Sequence, residues 1–271
     1  MSVTVNNLFD NDDVEILWPT PDDPDAAAYG PFKAIAWKRD LSVDFMTAQT
    51  AYFASEMDVR RRQLVCDLSV DDVKLQAGAM QMITGAVRAK TDVKGVGDLF
   101  RKAVRSTVTE ESIVKPVYEG DGLLVCEPTY RHLVCSNLDA WGGAVVLDDG
   151  CFLACVSSIN ESARRPDSIS GLVAGNEGIW KLQLKGSGAF VLETPCPEDE
   201  LITIDLDDDE LRLDGNLALA WSSTLRFTVE RVTRTLIGSA VSGEGLVNVY
   251  RGTGRVVVTP TQPVTRAGLG D

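Results

Sequence analysis

The sequence predicts an all-β protein built from three copies of one unit about 66 residues long. Three observations predict it. The first is a recurring G-x-G signature. Gly120-Asp121-Gly122-Leu123-Leu124-Val125, Gly186-Ser187-Gly188-Ala189-Phe190-Val191 and Gly252-Thr253-Gly254-Arg255-Val256-Val257 stand 66 residues apart both times, and Pro128, Pro195 and Pro260 close the strands that follow. The second is a further set of strand-like runs in the same register: Leu64-Val65-Cys66, Leu133-Val134-Cys135 and Leu201-Ile202-Thr203. Self-similarity over this length means one supersecondary unit repeated. The third is period-2 alternation. Ile202, Ile204 and Leu206 alternate with Thr203, Asp205 and Asp207, which places one face in a core and the other in water.

The elements follow in order. Residues 1–40 lie outside the repeat. Asp10 to Asp25 is acidic and proline-bearing, and reads as a partly flexible, loosely docked arm. Residues 41–271 read as a single triplicated β domain. After each Leu-Val-Cys-type run comes an acidic or glycine turn and a further strand, ending near Gly78, Gly150 and Gly215. Turns rich in Gly, Asp, Asn and Pro suit short hairpins. Val96 to Ser106 has Leu99, Phe100, Ala103 and Val104 at helical spacing, and reads as a short helix or long loop. The first copy lacks an opening G-x-G strand and a spare one stands at the C-terminus. The units are therefore expected at about 60–119 plus 252–262, 120–185 and 186–251, with the last strand completing the first unit and closing a ring. Closure would remove exposed sheet edges.

Composition excludes several functions. The formal net charge is -14, from 40 acidic and 26 basic residues, and such a surface repels nucleic-acid phosphates and anionic lipid. No apolar run approaches a membrane-spanning length and no signal peptide is visible, so a soluble, cytoplasmic protein is expected. None of the six cysteines forms a C-x-x-C pair, and four of them (Cys126, Cys135, Cys151, Cys155) sit in apolar runs as small core residues. With one histidine in the chain, neither disulfides nor a structural zinc is expected.

Several stretches together resemble one known family. They are Gln76-Ala77-Gly78-Ala79-Met80, Glu111-Ser112, Tyr118-Glu119-Gly120-Asp121-Gly122, Gly150-Cys151-Phe152-Leu153-Ala154, and Ser242-Gly243-Glu244-Gly245-Leu246 followed by Gly252-Thr253-Gly254. In that order they resemble the altered-inheritance-of-mitochondria family over about residues 60–262. The resemblance implies a fold similar to the trp RNA-binding attenuation protein (TRAP-like), with three β-sandwich units in one chain around a pseudo-threefold axis. It implies no catalytic residues. It also implies a link to membrane or envelope organisation or stress. Glu110 departs from the family pattern, which has Gly before Glu111-Ser112.

The residues themselves offer little chemistry. Each G-x-G is followed by a strand, whereas a dinucleotide fingerprint needs a third glycine opening a helix. The motif residues Gly78, Met80, Glu111, Ser112, Gly120, Gly122, Gly150, Gly186, Gly188, Gly243, Glu244, Gly245, Gly252 and Gly254 are therefore read as structural. His132 lies in an expected turn and lacks visible partners for catalysis. Asp71-Asp72, Asp148-Asp149 and Asp207-Asp208-Asp209-Glu210 lack the spacing of a calcium loop and read as solvated turns. Ser242 has no elbow pattern around it. Arg60-Arg61-Arg62 and Arg164-Arg165 are the basic runs, and they are not at equivalent places of the repeat. The expectation is a non-enzymatic binding or scaffold protein, without cofactor or metal, that binds a protein partner or itself. The alternatives are a small-ligand or hydrolytic site on the pseudo-threefold axis, and RNA binding, which the charge disfavours.

Overall fold

The first six strands include short buried runs and longer, more exposed ones. In the computed structural model, which describes residues 5–90, 115–169, 180–231 and 246–261, they are β1 (Val14–Trp18), β2 (Phe32–Trp37), β3 (Arg62–Asp67), β4 (Val73–Leu75), β5 (Met80–Lys90) and β6 (Val117–Cys126). One α-helix, α1 (Ala48–Glu56), interrupts them. There follow β7 (His132–Asn137), β8 (Ala144–Leu147), β9 (Phe152–Val156), β10 (Asn160–Arg164), β11 (Ser168–Ile169), β12 (Lys181–Lys185) and β13 (Ala189–Thr194). Last come β14 (Ile202–Asp214), β15 (Ala218–Ser222), β16 (Arg226–Arg231) and β17 (Leu246–Val258). The protein is mostly β, as expected, with a sheet curled into a half-barrel.

The strands form two sheets. One runs β1-β2-β3-β6-β4-β9-β13-β7, with β5 also on β6; the other runs β10-β12-β8-β15-β17-β16-β11, with β14 on β17. The described pairings thus organise the chain as two sheets rather than three equal units. A local likeness remains. β6 and β17 each pair along their length with one long strand, β5 or β14, and on the other edge with two short ones.

Two expectations are corrected here. The Gly252 strand was expected to complete the unit near Arg60, yet β17 pairs with β14, β15 and β16. The partner of the strands after Arg60 is β6, which carries Gly120 and Gly122. The G-x-G strand therefore ends a unit instead of opening one. A nearby hairpin costs less loop-closure entropy than a chain-spanning closure.

The second correction concerns the N-terminal 40 residues. Residues 5–40 are not a loose arm: β1 pairs with β2 and β2 with β3, and Phe32, Ala34, Ile35 and Ala36 are buried. Alternation along the strands explains why. Phe32, Ala34, Leu64, Cys66, Leu124 and Cys126 enter the main core. Their neighbours Ile35, Val65 and Val125 point to the other face and pack with Leu8 and Val14, which the N-terminal segment lays over them. With both faces covered, β3 keeps three consecutive apolar residues, Leu64, Val65 and Cys66, at its centre. The expected helix or loop at 96–106 lies outside the described residues. Of the six cysteines, Cys66, Cys126, Cys151 and Cys155 are buried, and Cys135 and Cys196 partly so.

Candidate functional site

The site begins with the segment between β2 and β3. Asp44 starts it: its carboxylate accepts the backbone N–H groups of Met46 (2.7 Å) and Thr47 (3.0 Å), which fixes the turn that leads into the helix. Those bonds, the one from Thr47 above all, hold the Asp44 carboxyl below its ordinary value. The segment ends at Asp58, whose φ of 58° is a left-handed turn that Asp tolerates.

Between these ends, α1 is built in an unusual way. A surface helix ordinarily turns large apolar residues inward at i, i+3, i+4, i+7 and i+8. Here those positions hold Thr47, Thr50, Ala51, Ala54 and Ser55, and they line a cavity. The large side chains Tyr52 and Phe53 face out, beside exposed Leu41, Phe45, Met46 and Met57. No residue of α1 is buried. Small side chains cannot fill the space over the sheet end, so a cavity of about 560 Å³ remains.

The far wall is made by Trp37, Val59, Arg60, Arg61 and Tyr130. Arg61 reaches across it. Its Nη2 donates to Asp40 Oδ1 at 2.9 Å, and its guanidinium lies 5.7 Å from the centre of the Trp37 ring. Its Nε is buried and has no hydrogen-bond partner. Asp40 is held below its usual range first by the Ser42 hydroxyl, which donates to Oδ1 at 2.6 Å. Trp37 is fixed by its own indole N–H, which donates to Gln63 Oε1 at 2.8 Å.

Beside the cavity Asp58 gathers charge. It accepts from Arg60 Nε at 2.7 Å and Arg62 Nη2 at 2.6 Å, and His132 Nδ1 lies 3.9 Å away. Arg60 also donates to Glu15 at 2.6 Å. Arg62 is only 2% exposed, and it also bonds the carbonyls of Asp58 and Arg60. Burial, then the Arg62 cation, pushes the His132 imidazole below its ordinary value.

The motif residues named from sequence lie elsewhere. Gly78 and Gly150 occupy turns with φ of 85° and 73°, and the Gly150 carbonyl accepts from Arg131 Nη1 at 3.0 Å. Met80 opens β5 and is exposed. Gly120, Gly122, Gly252 and Gly254 are in strands, and Gly186 and Gly188 in the turn from β12 to β13. The three G-x-G copies share two traits, though they stand in different elements. Gly120, Gly186 and Gly252 all have positive φ, and a Cβ on Gly122, Gly188 or Gly254 would collide with Thr84, Val156 or Ser222. Glu111, Ser112, Gly243, Glu244 and Gly245 lie outside the described residues.

The acidic pairs divide. Asp148 and Asp149 are not a solvated turn: both are largely buried and share the Lys181 ammonium at 2.7 and 3.0 Å. Asp208 sits at a bulge of β14, with Glu210 bonded to Arg212 and Arg251. Among the described residues no group of three or more His, Cys, Asp or Glu could hold a metal ion, and no helix is long and apolar enough to cross a membrane. Sequence reasoning missed α1 and its cavity. Its inward positions from Thr47 to Ser55 are small or polar and give no apolar periodicity to read.

With this geometry in hand, comparison with known proteins places the chain. The family model described as "Mitochondrial biogenesis AIM24" matches residues 55–261. The chain belongs to the AIM24 family. A relative from Streptococcus pyogenes serotype M6, named as an uncharacterized protein, is 28% identical over 192 residues, covering 69% of this chain and 75% of its own length. An X-ray structure of another S. pyogenes protein is similar with a TM-score of 0.56 and 26% identity, over 76% of this chain and 90% of that one. The AIM24 match begins inside α1, so Trp37, Asp40 and most of the cavity-lining face of α1 precede it.

Proposed function

We propose that this AIM24 member is a non-catalytic binding protein that self-associates through the apolar surface of residues 41–59. The observation that carries the reading is exposure. Phe45 is 94%, Met46 82% and Met57 78% exposed, next to Tyr52 and Phe53. Large exposed apolar side chains gathered in one short segment of the chain mark an interaction surface.

Charge favours a second copy as the occupant. A chain of net charge -14 repels itself over most of its surface. Around this patch, however, the guanidinium groups are neutralised locally: Arg39 by Asp13, Arg61 by Asp40, and Arg60 by Glu15 and Asp58. A neutral apolar face can meet its own copy about a twofold axis, each subunit offering the same patch.

Light scattering on the eluting protein tests this. The expected mass is a multiple of 29.3 kDa for the natural chain and 29.3 kDa for Phe45→Ser/Phe53→Ser. Both side chains are exposed, so the change leaves the core intact. A natural chain that stays monomeric from about 1 µM to 1 mM overturns the reading.

A further inference from the structure

We infer that each copy of the chain places its Phe45 ring in the cavity beneath α1 of a second copy. One short segment then supplies both the projection and the recess of a twofold contact. This contact rests on the self-association proposed above and names the groups that meet.

Three observations carry it. The first is what the cavity wall still lacks. Its charged groups are engaged within the chain: Arg61 with Asp40, Arg60 with Glu15 and Asp58, and Lys38 with the Asp12 carbonyl at 3.0 Å. Much of the remaining wall is the apolar surface of Trp37, Val43, Ala51, Ala54 and Val59. An uncharged apolar group suits that space better than an ion, whose loss of hydration no free partner would offset.

The second is access and size. Val59 and Tyr130 are exposed, and Trp37, Ala51 and Ala54 are only partly buried, so the wall can be reached from outside. A cavity of about 150 Å³ already accepts a benzene ring. This one, at about 560 Å³, has room for a phenyl side chain and the groups beside it.

The third is the place of Phe45. It is the most exposed large apolar side chain among the described residues. It stands in the chain between Val43 and Thr47, both of which line the cavity, so ring and recess are neighbours. A twofold contact requires that adjacency. Where residue i of one copy meets j of the other, j also meets i, so an insertion beside the axis is made twice. Each ring would withdraw about 150–250 Å² of surface from water. The Asp44 carboxylate, bonded to the N–H groups of Met46 and Thr47, fixes the turn that carries the ring. The projection is thus set before a partner arrives, which lowers the ordering cost of association.

Photo-cross-linking between two isotopic forms of the full chain tests the contact. An unlabelled chain with p-benzoylphenylalanine in place of Phe45 is mixed with an isotope-labelled natural chain and irradiated. Mixed-isotope cross-links from position 45 to Trp37, Ala51, Ala54 or Val59 are expected. Ala51→Leu and Ala54→Leu, made separately so that one folded variant suffices, fill the recess from within. Each is expected to weaken self-association at least about tenfold by light scattering, as Phe45→Ser does alone. Association with cross-links only to the outer residues Tyr52 and Phe53 would overturn the insertion and leave self-association standing. So would cross-links confined to one isotope, which place the ring in its own cavity, or unchanged association of the folded leucine variants. A natural chain that stays monomeric would remove both readings.

Discussion

Arg62, buried on β3, donates from Nη2 to Asp58 at 2.6 Å, and Asp58 itself sits in a left-handed turn at the end of the helical segment. This contact ties the end of the helical segment to the start of β3. Asp58→Asn keeps the turn, because Asn tolerates the same backbone conformation, but removes the charge opposite a guanidinium that is 2% exposed. The backbone carbonyls of Asp58 and Arg60 still hold that guanidinium, so the loss is expected to be moderate. Urea unfolding should show about 1–3 kcal/mol of destabilisation. A change below a few tenths would mean that the carbonyls alone satisfy Arg62.

His132 shares this neighbourhood, and its pKa gives a pH dependence. The folded value is lowered, first by burial and then by Arg62. The unfolded chain therefore takes up a proton more readily than the folded one as pH falls through the ordinary histidine value of about 6.5. Stability is full above that pH and declines below it, until the folded pKa is passed. His132→Gln is expected to flatten the decline. The difference in urea midpoint between the natural chain and the variant, followed from pH 7.5 to 5 (about one unit either side of the transition), reads it. Parallel curves would remove His132 as the cause.

In the second sheet the sign is reversed. Arg251 on β17 holds Glu230 on β16 with Nη1···Oε1 at 2.5 Å and Nη2···Oε2 at 3.0 Å. The guanidinium, helped by the Thr228 hydroxyl, lowers the Glu230 carboxyl to about 2. A depressed carboxylate contributes stability above its unfolded pKa, about 4.5, and loses it as pH falls toward 2. Both side chains are about one-third exposed, so solvent screening reduces the contribution to about 1 kcal/mol. Glu230→Gln should lower stability by that amount at pH 7 and leave it nearly unchanged at pH 2.5 (about where the paired carboxyl protonates). Thermal unfolding at the two pH values measures it.

The legible and illegible parts of this protein differ for physical reasons. Alternation in Ile202 to Leu206 and the glycine-proline punctuation mark strands because a pleated backbone imposes period 2 on any half-buried chain. β1 and β2 escaped notice because each is only a few residues long and is set among Asp and Pro turns. α1 escaped because its inward positions are Ala, Thr and Ser, which carry no apolar periodicity. The cavity could not be read at all: Trp37, Arg61 and Tyr130 are far apart in the chain and meet only through the β2–β3 pairing and the bridge from Arg62 to Thr129. The Asp148-Asp149 pair looked like a turn in water because its neutralising partner, Lys181, is more than thirty residues away.

The motif glycines, finally, are expected to differ sharply from one another under the same substitution. At Gly78 the backbone has φ of 85°, and an added Cβ would meet nothing within 4 Å. Gly78→Ala therefore carries only the left-handed penalty, about 1–2 kcal/mol. At Gly122 the neighbour is the obstacle: a Cβ would overlap the Thr84 carbonyl oxygen. That oxygen belongs to β5, whose ladder with β6 runs from Met80 to Lys90, so relief means moving a strand rather than a side chain. Gly122→Ala is expected to cost about 3 kcal/mol or more, the upper end for overpacking. Calorimetric unfolding should separate the two variants by several degrees. Equal midpoints would show that β5 moves aside freely, and Gly122 would then need a reason other than close approach of two backbones.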